Sequence, residues 1–415
     1  MTQLRRVAIV GGNRIPFARS NAAYATASNQ EMLTSALEGL IERFNLHGER
    51  MGEVVAGAVI KHSRDFNLTR ECVLGSRLAA QTPAYDLQQA CGTGLEAALL
   101  VANKIALGQI ECGIAGGVSE GLRQVLLEAN RGKTTGDKLK TLLKLRPRHL
   151  VPSLPRNSEP RTGLSMGEHC ELMAQTWAIP RDEQDLLAVA SHQKLAAAYA
   201  EGWHSDLISP FNGLTRDQNL RPDIDLDKLA SLKPVFERGP RGTLTAANST
   251  PLTDGASLVL LASEDWAKAR GLPILAYLRD GEAAAVDFVD GAEGLLMAPV
   301  YAMPRLLARN NLSLQDFDYY EIHEAFAAQV LCTLKAWEDA EYCKTRLGLS
   351  LPLGAIDRSK MNVKGSSLAA GHPFAATGGR IVANLAKLLA VAGEGRGLIS
   401  ICAAGGQGVT AILEK

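Results

Sequence analysis

The sequence has no excess of charge of either sign, with 44 Lys and Arg against 44 Asp and Glu. That balance removes the footprint expected of a nucleic-acid binder or of a protein held overall on an acidic membrane, so any anion site must be local. Cysteines spaced C-x-x-C are also missing, and the seven present stand at 72, 91, 112, 170, 332, 343 and 402. An odd count without that spacing disfavours a disulfide framework and a zinc site, so reduced thiols and no bound metal are expected. The opening MTQLRRVAIVGG passes from two arginines into a short β-like run. It has no apolar stretch of signal-peptide or membrane-span length, and the reading is a cytosolic, cytoplasmic protein. A dinucleotide fingerprint is absent too, because the stretch after the first strand lacks the third glycine and Pro16 sits where its helix would begin. No nicotinamide cofactor is expected.

What the chain does have is apolar mass in an alternating rhythm. Its 415 residues, 46% hydrophobic, can bury substantial cores, and the length suits two or three domains. Apolar runs that suit buried strands (Val7 to Val10, Val54 to Ile60, Gly113 to Val118, Leu398 to Cys402) alternate with longer Ala/Leu-rich helical stretches. The alternation predicts an α/β fold. The longest helical candidates, Gly94 to Leu107 and Thr377 to Ala392, each follow a small-residue turn headed by a reactive side chain, and each precedes a strand ending in Gly-Gly. This faint internal repeat suggests two related halves. Between them, roughly residues 119 to 242 break the rhythm with proline-rich pieces, charged turns and one clear helix near Arg181 to Glu201, which reads as an insertion. Within it, Arg131 to Arg148 carries seven Lys or Arg against one acid, Asp137. Such a run is either a solvated face or mobile loop, or a docking surface for a partner, a lipid or a phosphate group.

Four short motifs carry chemistry. Gln88-Gln89-Ala90-Cys91-Gly92-Thr93-Gly94 places Cys91 where a strand-like approach, Ala84 to Leu87, meets a helix start. Free amide groups and the helix dipole lower a thiol's pKa there, and the glycines let a carbonyl approach the backbone. Gly371-His372-Pro373 offers an imidazole to take the thiol proton. Ile322-His323-Glu324-Ala325-Phe326 offers a second, and Cys402 opens Cys-Ala-Ala-Gly-Gly-Gln-Gly, a turn rich in amide donors that should expose its thiol. Any one of these residues alone is as readily a packing residue; together, in this order, they are specific.

In that order and at those intervals the four motifs resemble those of the thiolase family. The resemblance covers essentially the whole chain, since SMGEHCELMAQTWAIPRDEQD and GTLTAANSTPLTDGAS also look like the family's loop region and coenzyme-binding turn. It implies that Cys91 is acylated, that His372 activates it, and that Cys402 moves a proton on or off the α-carbon of the acetyl unit. That chemistry develops negative charge on an enolate oxygen and on a tetrahedral adduct and so needs two sets of donors; His323 with His372 is a candidate for one, and the amides of Cys91 and Ala404 for the other. Arg221 falls on a family arginine at the nucleotide end of coenzyme A, Thr250 on a serine at the pantetheine arm, and Met166 and Phe326 on the thioester pocket. Two positions depart from the commonest pattern. His323 stands where many thiolases have asparagine, a form similar to the β-subunits of fatty-acid-oxidation complexes, and Ala404 replaces a glycine while keeping its amide.

The expected fold is therefore thiolase-like, with duplicated mixed-sheet halves and helices. Residues 1–118, completed by about 243–270, would form the first half, 119–242 an inserted loop domain, and 271–415 the second half. The expected activity is acetyl-CoA C-acyltransfer: thiolytic cleavage of 3-ketoacyl-CoA in fatty-acid β-oxidation, or the reverse condensation to acetoacetyl-CoA. Coenzyme A and acyl-CoA are substrates, and no cofactor is expected. Expected associations are a homodimer or tetramer, a hydratase/dehydrogenase subunit, and peripheral membrane contact. Two rivals are a decarboxylating ketoacyl synthase, set apart by Cys402, and a non-catalytic lipid-binding or scaffold subunit.

Overall fold

The computed structural model describes residues 4–61, 65–119, 135–136, 158–290 and 293–415. Among these, ten strands run in chain order: β1 (Val7–Arg14), β2 (Ala18–Arg19), β3 (Glu53–Ala56), β4 (Ala84–Asp86), β5 (Cys112–Ser119), β6 (Thr253–Ser263), β7 (Ala276–Ala285), β8 (Tyr319–Ile322), β9 (Arg396–Ala403) and β10 (Gln407–Glu414). The helices used below are α1 (Asn29–Phe44), α2 (Leu68–Leu74), α3 (Thr93–Ala106), α4 (Met166–Thr176), α5 (Arg181–Ala200), α6 (Ala298–Asn310), α7 (Ala327–Glu338), α8 (Ser367–Ala370) and α9 (Thr377–Ala392). The basic segment Arg131 to Arg148 lies, but for two residues, outside the described residues.

The strand order β4-β3-β5-β6-β1-β7-β10-β9-β8 contains the duplication. In the first half β3 and β5 are parallel, followed by antiparallel β6 and β1; in the second, β8 and β9 are parallel, followed by antiparallel β10 and β7. The halves meet where β1 and β7 pair antiparallel, Ala8 with Tyr277 and Ile9 with Ala276. Each half thus repeats one plan, with α3 entering β5 and α9 entering β9.

Those two helices form the central layer. One core cluster joins Leu95, Leu99 and Val101 of α3 and Ile381, Leu385 and Leu388 of α9 to inward residues of both halves, such as Val55, Val259, Ile399 and Val409. Every α9 residue from 377 to 386 is buried, the polar Arg380 and Asn384 among them being held by Ser367 and Glu321. The stretch Phe374–Ala392 has the length and apolarity to cross a membrane, yet 78% of it is buried in this layer. On the outer faces, α1 and α2 cover the first half around Leu37, Leu40 and Val54, while α6 and α7 cover the second around Val300, Leu306 and Leu331. Local signals set the ends: Ser28 and Glu31 form a capping box on α1, and Asn45 closes it in a left-handed turn.

The two central helices start almost in backbone contact. A Cβ on Gly94 would lie 2.6 Å from the Ala375 carbonyl oxygen, and one on Gly378 would lie 2.2 Å from the Leu95 nitrogen. Only glycine permits this approach. It brings the turns ahead of the two helices, which carry Cys91 and His372, to one point.

Candidate active site

Cys91 sits in a single 3-10 turn, Ala90–Gly92, at the start of α3. Ala90 is left-handed at φ +46°, a conformation that costs a residue with a Cβ. Thr93 holds the turn, its hydroxyl accepting from the Gln89 N–H at 2.8 Å and donating to the Ala90 carbonyl at 2.7 Å. The position at a helix start agrees with the sequence reading, but its electrostatic consequence does not. Burial pushes the Cys91 thiol up to about 12, outweighing the lowering by the N–H groups of Ala404 and of Cys91 itself. A thiol that keeps its proton needs a base in contact.

His372 meets that need, its Nε2 lying 3.0 Å from Cys91 Sγ. The preceding Gly371 has φ +99°, and the His372 N–H donates to Thr253 Oγ1 at 3.1 Å, pinning the turn to the start of β6. On the far side of the ring, Nδ1 lies 2.6 Å from Thr377 Oγ1 in the first turn of α9. Burial, then the Arg380 charge, holds the imidazole down to about 3, so it is neutral at rest.

His323 packs against His372 with ring centroids 4.1 Å apart and the ring planes tilted by 46°. It follows β8, its N–H donating to Ser400 O at 2.9 Å, and Asn362 clamps the strand end by bonds to Ile322 N, Ile322 O and the Glu324 carboxylate. Its Nδ1 lies 2.8 Å from Ser367 Oγ, while its buried Nε2 has no partner among the described residues. Burial, and next the neighbouring His372, push its pKa well down.

Cys402 completes the group in a way the sequence reading missed. It lies not in an exposed turn but within β9, paired with Gly408 of β10 and 1% exposed. The strand runs one residue beyond it, so its thiol is sealed in the interior. Burial holds it protonated, and a negative charge on nearby Cys91 would raise its pKa further. The turn that follows, Ala404 to Gly406, aims the Ala404 amide at Cys91 and the Gly405 amide at Glu159, whose carboxylate accepts at 2.9 Å.

Residues 7–265 match the thiolase N-terminal domain and residues 272–415 the thiolase C-terminal domain. The chain belongs to the thiolase family. It is 40% identical to the 3-ketoacyl-CoA thiolases of Yersinia pestis and Yersinia pseudotuberculosis over 425 aligned positions, which span 99% of this chain and 97% of theirs. Among solved structures it is similar to the acetyl-CoA acetyltransferase of Bacillus anthracis (TM-score 0.82, 28% identity) and to human mitochondrial 3-ketoacyl-CoA thiolase (TM-score 0.79, 27% identity). Both matches cover 100% of each chain.

Of the remaining residues that the thiolase resemblance singled out, Phe326 is 7% exposed and meets Phe236 edge-on at 5.9 Å, and Met166, at the start of α4, packs on the same cluster as Phe326 and Cys402. The Thr250 hydroxyl donates to the Ala325 carbonyl at 2.9 Å, which commits its hydrogen and leaves the oxygen as an acceptor. Arg221 is exposed, and its backbone N–H donates to His192 Nδ1 at 3.1 Å. Desolvation and the nearby Arg19 lower the Arg221 pKa, so two cations share this corner. Arg19, Glu159, Ser367, Thr377 and Arg380 escaped the sequence reading. The only available signal was spacing: Thr377 and Arg380 fall five and eight residues after His372.

Proposed function

We propose that this chain is an acetyl-CoA C-acyltransferase that cleaves 3-ketoacyl-CoA with coenzyme A, releasing acetyl-CoA and a shortened acyl-CoA. The observation that supports it most is the 3.0 Å contact between His372 Nε2 and Cys91 Sγ, with the Cys402 thiol beside Cys91. For Nε2 to receive the thiol proton, Nδ1 must carry the ring hydrogen and donate it to Thr377 Oγ1. The Cys91 thiolate then adds to the 3-keto carbon, and the amides of Cys91 and Ala404 are the donors placed near the resulting oxyanion. Collapse breaks the C2–C3 bond and leaves the acyl group on Cys91. The departing acetyl-CoA enolate takes the Cys402 proton at carbon, with its oxygen held by His323 Nε2 and His372 Nε2. Coenzyme A next gives its thiol proton to the Cys402 thiolate and takes the acyl group, and His372 returns its proton to Cys91. All three groups end as they began, and the reverse sequence is condensation.

Thr250, Arg221 and Arg19 are assigned to coenzyme A, and Met166 and Phe326 to the thioester. A largely apolar cleft of about 560 Å³, lined by Leu164, Met173, Trp177, Phe288 and Leu295 among others, suits the acyl chain, and its Phe288 lies beside Gly406 of the late turn. No cofactor is invoked. A cytoplasmic homodimer or tetramer, with a hydratase/dehydrogenase subunit or a membrane surface as a further partner, completes the proposal. Steady-state thiolysis across 3-ketoacyl-CoA lengths tests it. Cleavage lost in Cys91→Ser supports it, whereas a folded wild-type chain that cleaves none would favour the scaffold reading. Decarboxylative condensation in place of thiolysis would favour the synthase.

A further inference from the structure

We infer that Ser367, held by Arg380, is a positioning residue that locks His323 in the tautomer with its hydrogen on Nε2. The inference rests on the proposed role of His323 at the enolate oxygen. Its evidence is a short chain of hydrogen bonds behind the ring. Arg380 Nη2 lies 2.9 Å from Ser367 Oγ, and Ser367 Oγ lies 2.8 Å from His323 Nδ1. A guanidinium has donors only, so the serine oxygen accepts from Arg380. The hydroxyl has one hydrogen, and the remaining partner described for it is Nδ1. The oxygen could accept a second time, but donation to Nδ1 is what gives the hydroxyl hydrogen a partner among the described residues, and it leaves the imidazole hydrogen on Nε2, the buried nitrogen with no partner among those residues.

The arrangement makes two adjacent imidazoles into opposite tools. His372 must keep Nε2 bare to take the Cys91 proton, whereas His323 must present Nε2–H to a developing negative charge. Both settings come from the first turn of α9, where Thr377 faces His372 Nδ1 and Arg380, three residues on, reaches Ser367. Arg380 is itself buried at 7% exposure, near the carboxylates of Glu321 and Glu324, and Ser366 Oγ at 3.3 Å helps to hold it. A cation behind Ser367 also discourages a second proton on His323.

The experiment compares wild type, Ser367→Ala and Ser367→Thr in the full chain. Nitrogen-15 NMR of histidine-labelled protein reads the tautomer, with the His323 signals assigned by their loss in His323→Asn. Two half-reactions read the consequence: acyl exchange between acetyl-CoA and coenzyme A, which needs no enolate, and exchange of the acetyl α-protons, which does. Expected are Nε2–H on His323 in wild type and a mixture or reversal in Ser367→Ala. In that variant α-proton exchange should fall about tenfold to a hundredfold and acyl exchange by less than threefold, and Ser367→Thr should restore most of the loss. Hydrogen on Nδ1 in wild type, an unchanged tautomer in Ser367→Ala, or an equal fall in both half-reactions would overturn the inference. A wild type with no acyl exchange at all would instead refute the thiolase chemistry, and the tautomer reading would still judge Ser367.

Discussion

Replacing Gly94 by alanine should disable the site without touching a reactive group. The new Cβ would stand 2.6 Å from the Ala375 carbonyl oxygen and 2.9 Å from the Gly379 nitrogen, both backbone atoms that cannot rotate away. Relief to an ordinary carbon–oxygen contact of about 3.3 Å requires the two helix starts to part by about 0.7 Å. The turns carrying Cys91 and His372 ride on those starts. Their 3.0 Å contact would then open to roughly 3.7 Å, too long for efficient proton transfer. Misplacement on the order of 1 Å costs about a hundredfold in rate, so kcat/KM for thiolysis should fall tenfold to a hundredfold. Stability should change less, because overpacking costs about 1–3 kcal/mol while alanine regains up to about 1 kcal/mol of helix propensity. Thermal unfolding and acyl-enzyme formation would be measured on the same preparation. Activity within twofold of wild type would show that the glycine contact does not set the catalytic distance.

Cys402→Ala should still be acylated by acetyl-CoA, while α-proton exchange and condensation fall by about two orders of magnitude; unchanged condensation would assign the proton transfer elsewhere. The buried neutral histidines predict acid sensitivity. His372 and His204 are each lowered to about 3 and His192 to about 4, chiefly by burial, so the unfolded chain binds more protons than the folded one between those values and pH 6.5. The histidines' contribution should be full above pH 6.5 and fall as pH drops through that window, by up to about 1.4 kcal/mol per pH unit per histidine, offset in part by Glu321, whose carboxyl burial raises to about 7; denaturant midpoints that stay flat from pH 6.5 to 4 would contradict this. Replacing Lys138, Lys140 and Lys144 by glutamine should leave turnover of a short 3-ketoacyl-CoA unchanged and weaken binding to a hydratase/dehydrogenase subunit or to anionic vesicles, most at low salt. A wild type that binds neither at low salt would make the segment a solvated face.

Much of the fold and the centre of the site could be read in the sequence because their signals are local. Apolar runs marked β1, β5 and β9, and two Ala/Leu-rich stretches marked α3 and α9 almost to the residue. Cys91 and His372 stand in turns ahead of helices, His323 follows a short strand, and Cys402 lies in a strand that runs into a glycine-rich turn. What stayed hidden depends on contacts between distant segments. Glu159 reaches Gly405 across 246 residues, and the Ser367 bond to His323 joins segments 44 residues apart, so no periodicity or spacing announces either. The ionisation of Cys91 was misjudged for the same reason. A helix start is visible in sequence, whereas the opposing helix and β9 that bury the thiol are not, and desolvation is the larger effect.

The central claim is that Cys91 carries the acyl group. Brief reaction of the wild-type chain with a 3-ketoacyl-CoA in the absence of coenzyme A, acid quenching and peptide mass spectrometry would test it most directly. Expected are the mass of the shortened acyl group on the peptide containing Cys91, its disappearance when coenzyme A is added, and its absence in Cys91→Ser. An acyl group on Cys402 or another residue, or turnover with no adduct in a chain that cleaves substrate, would contradict it.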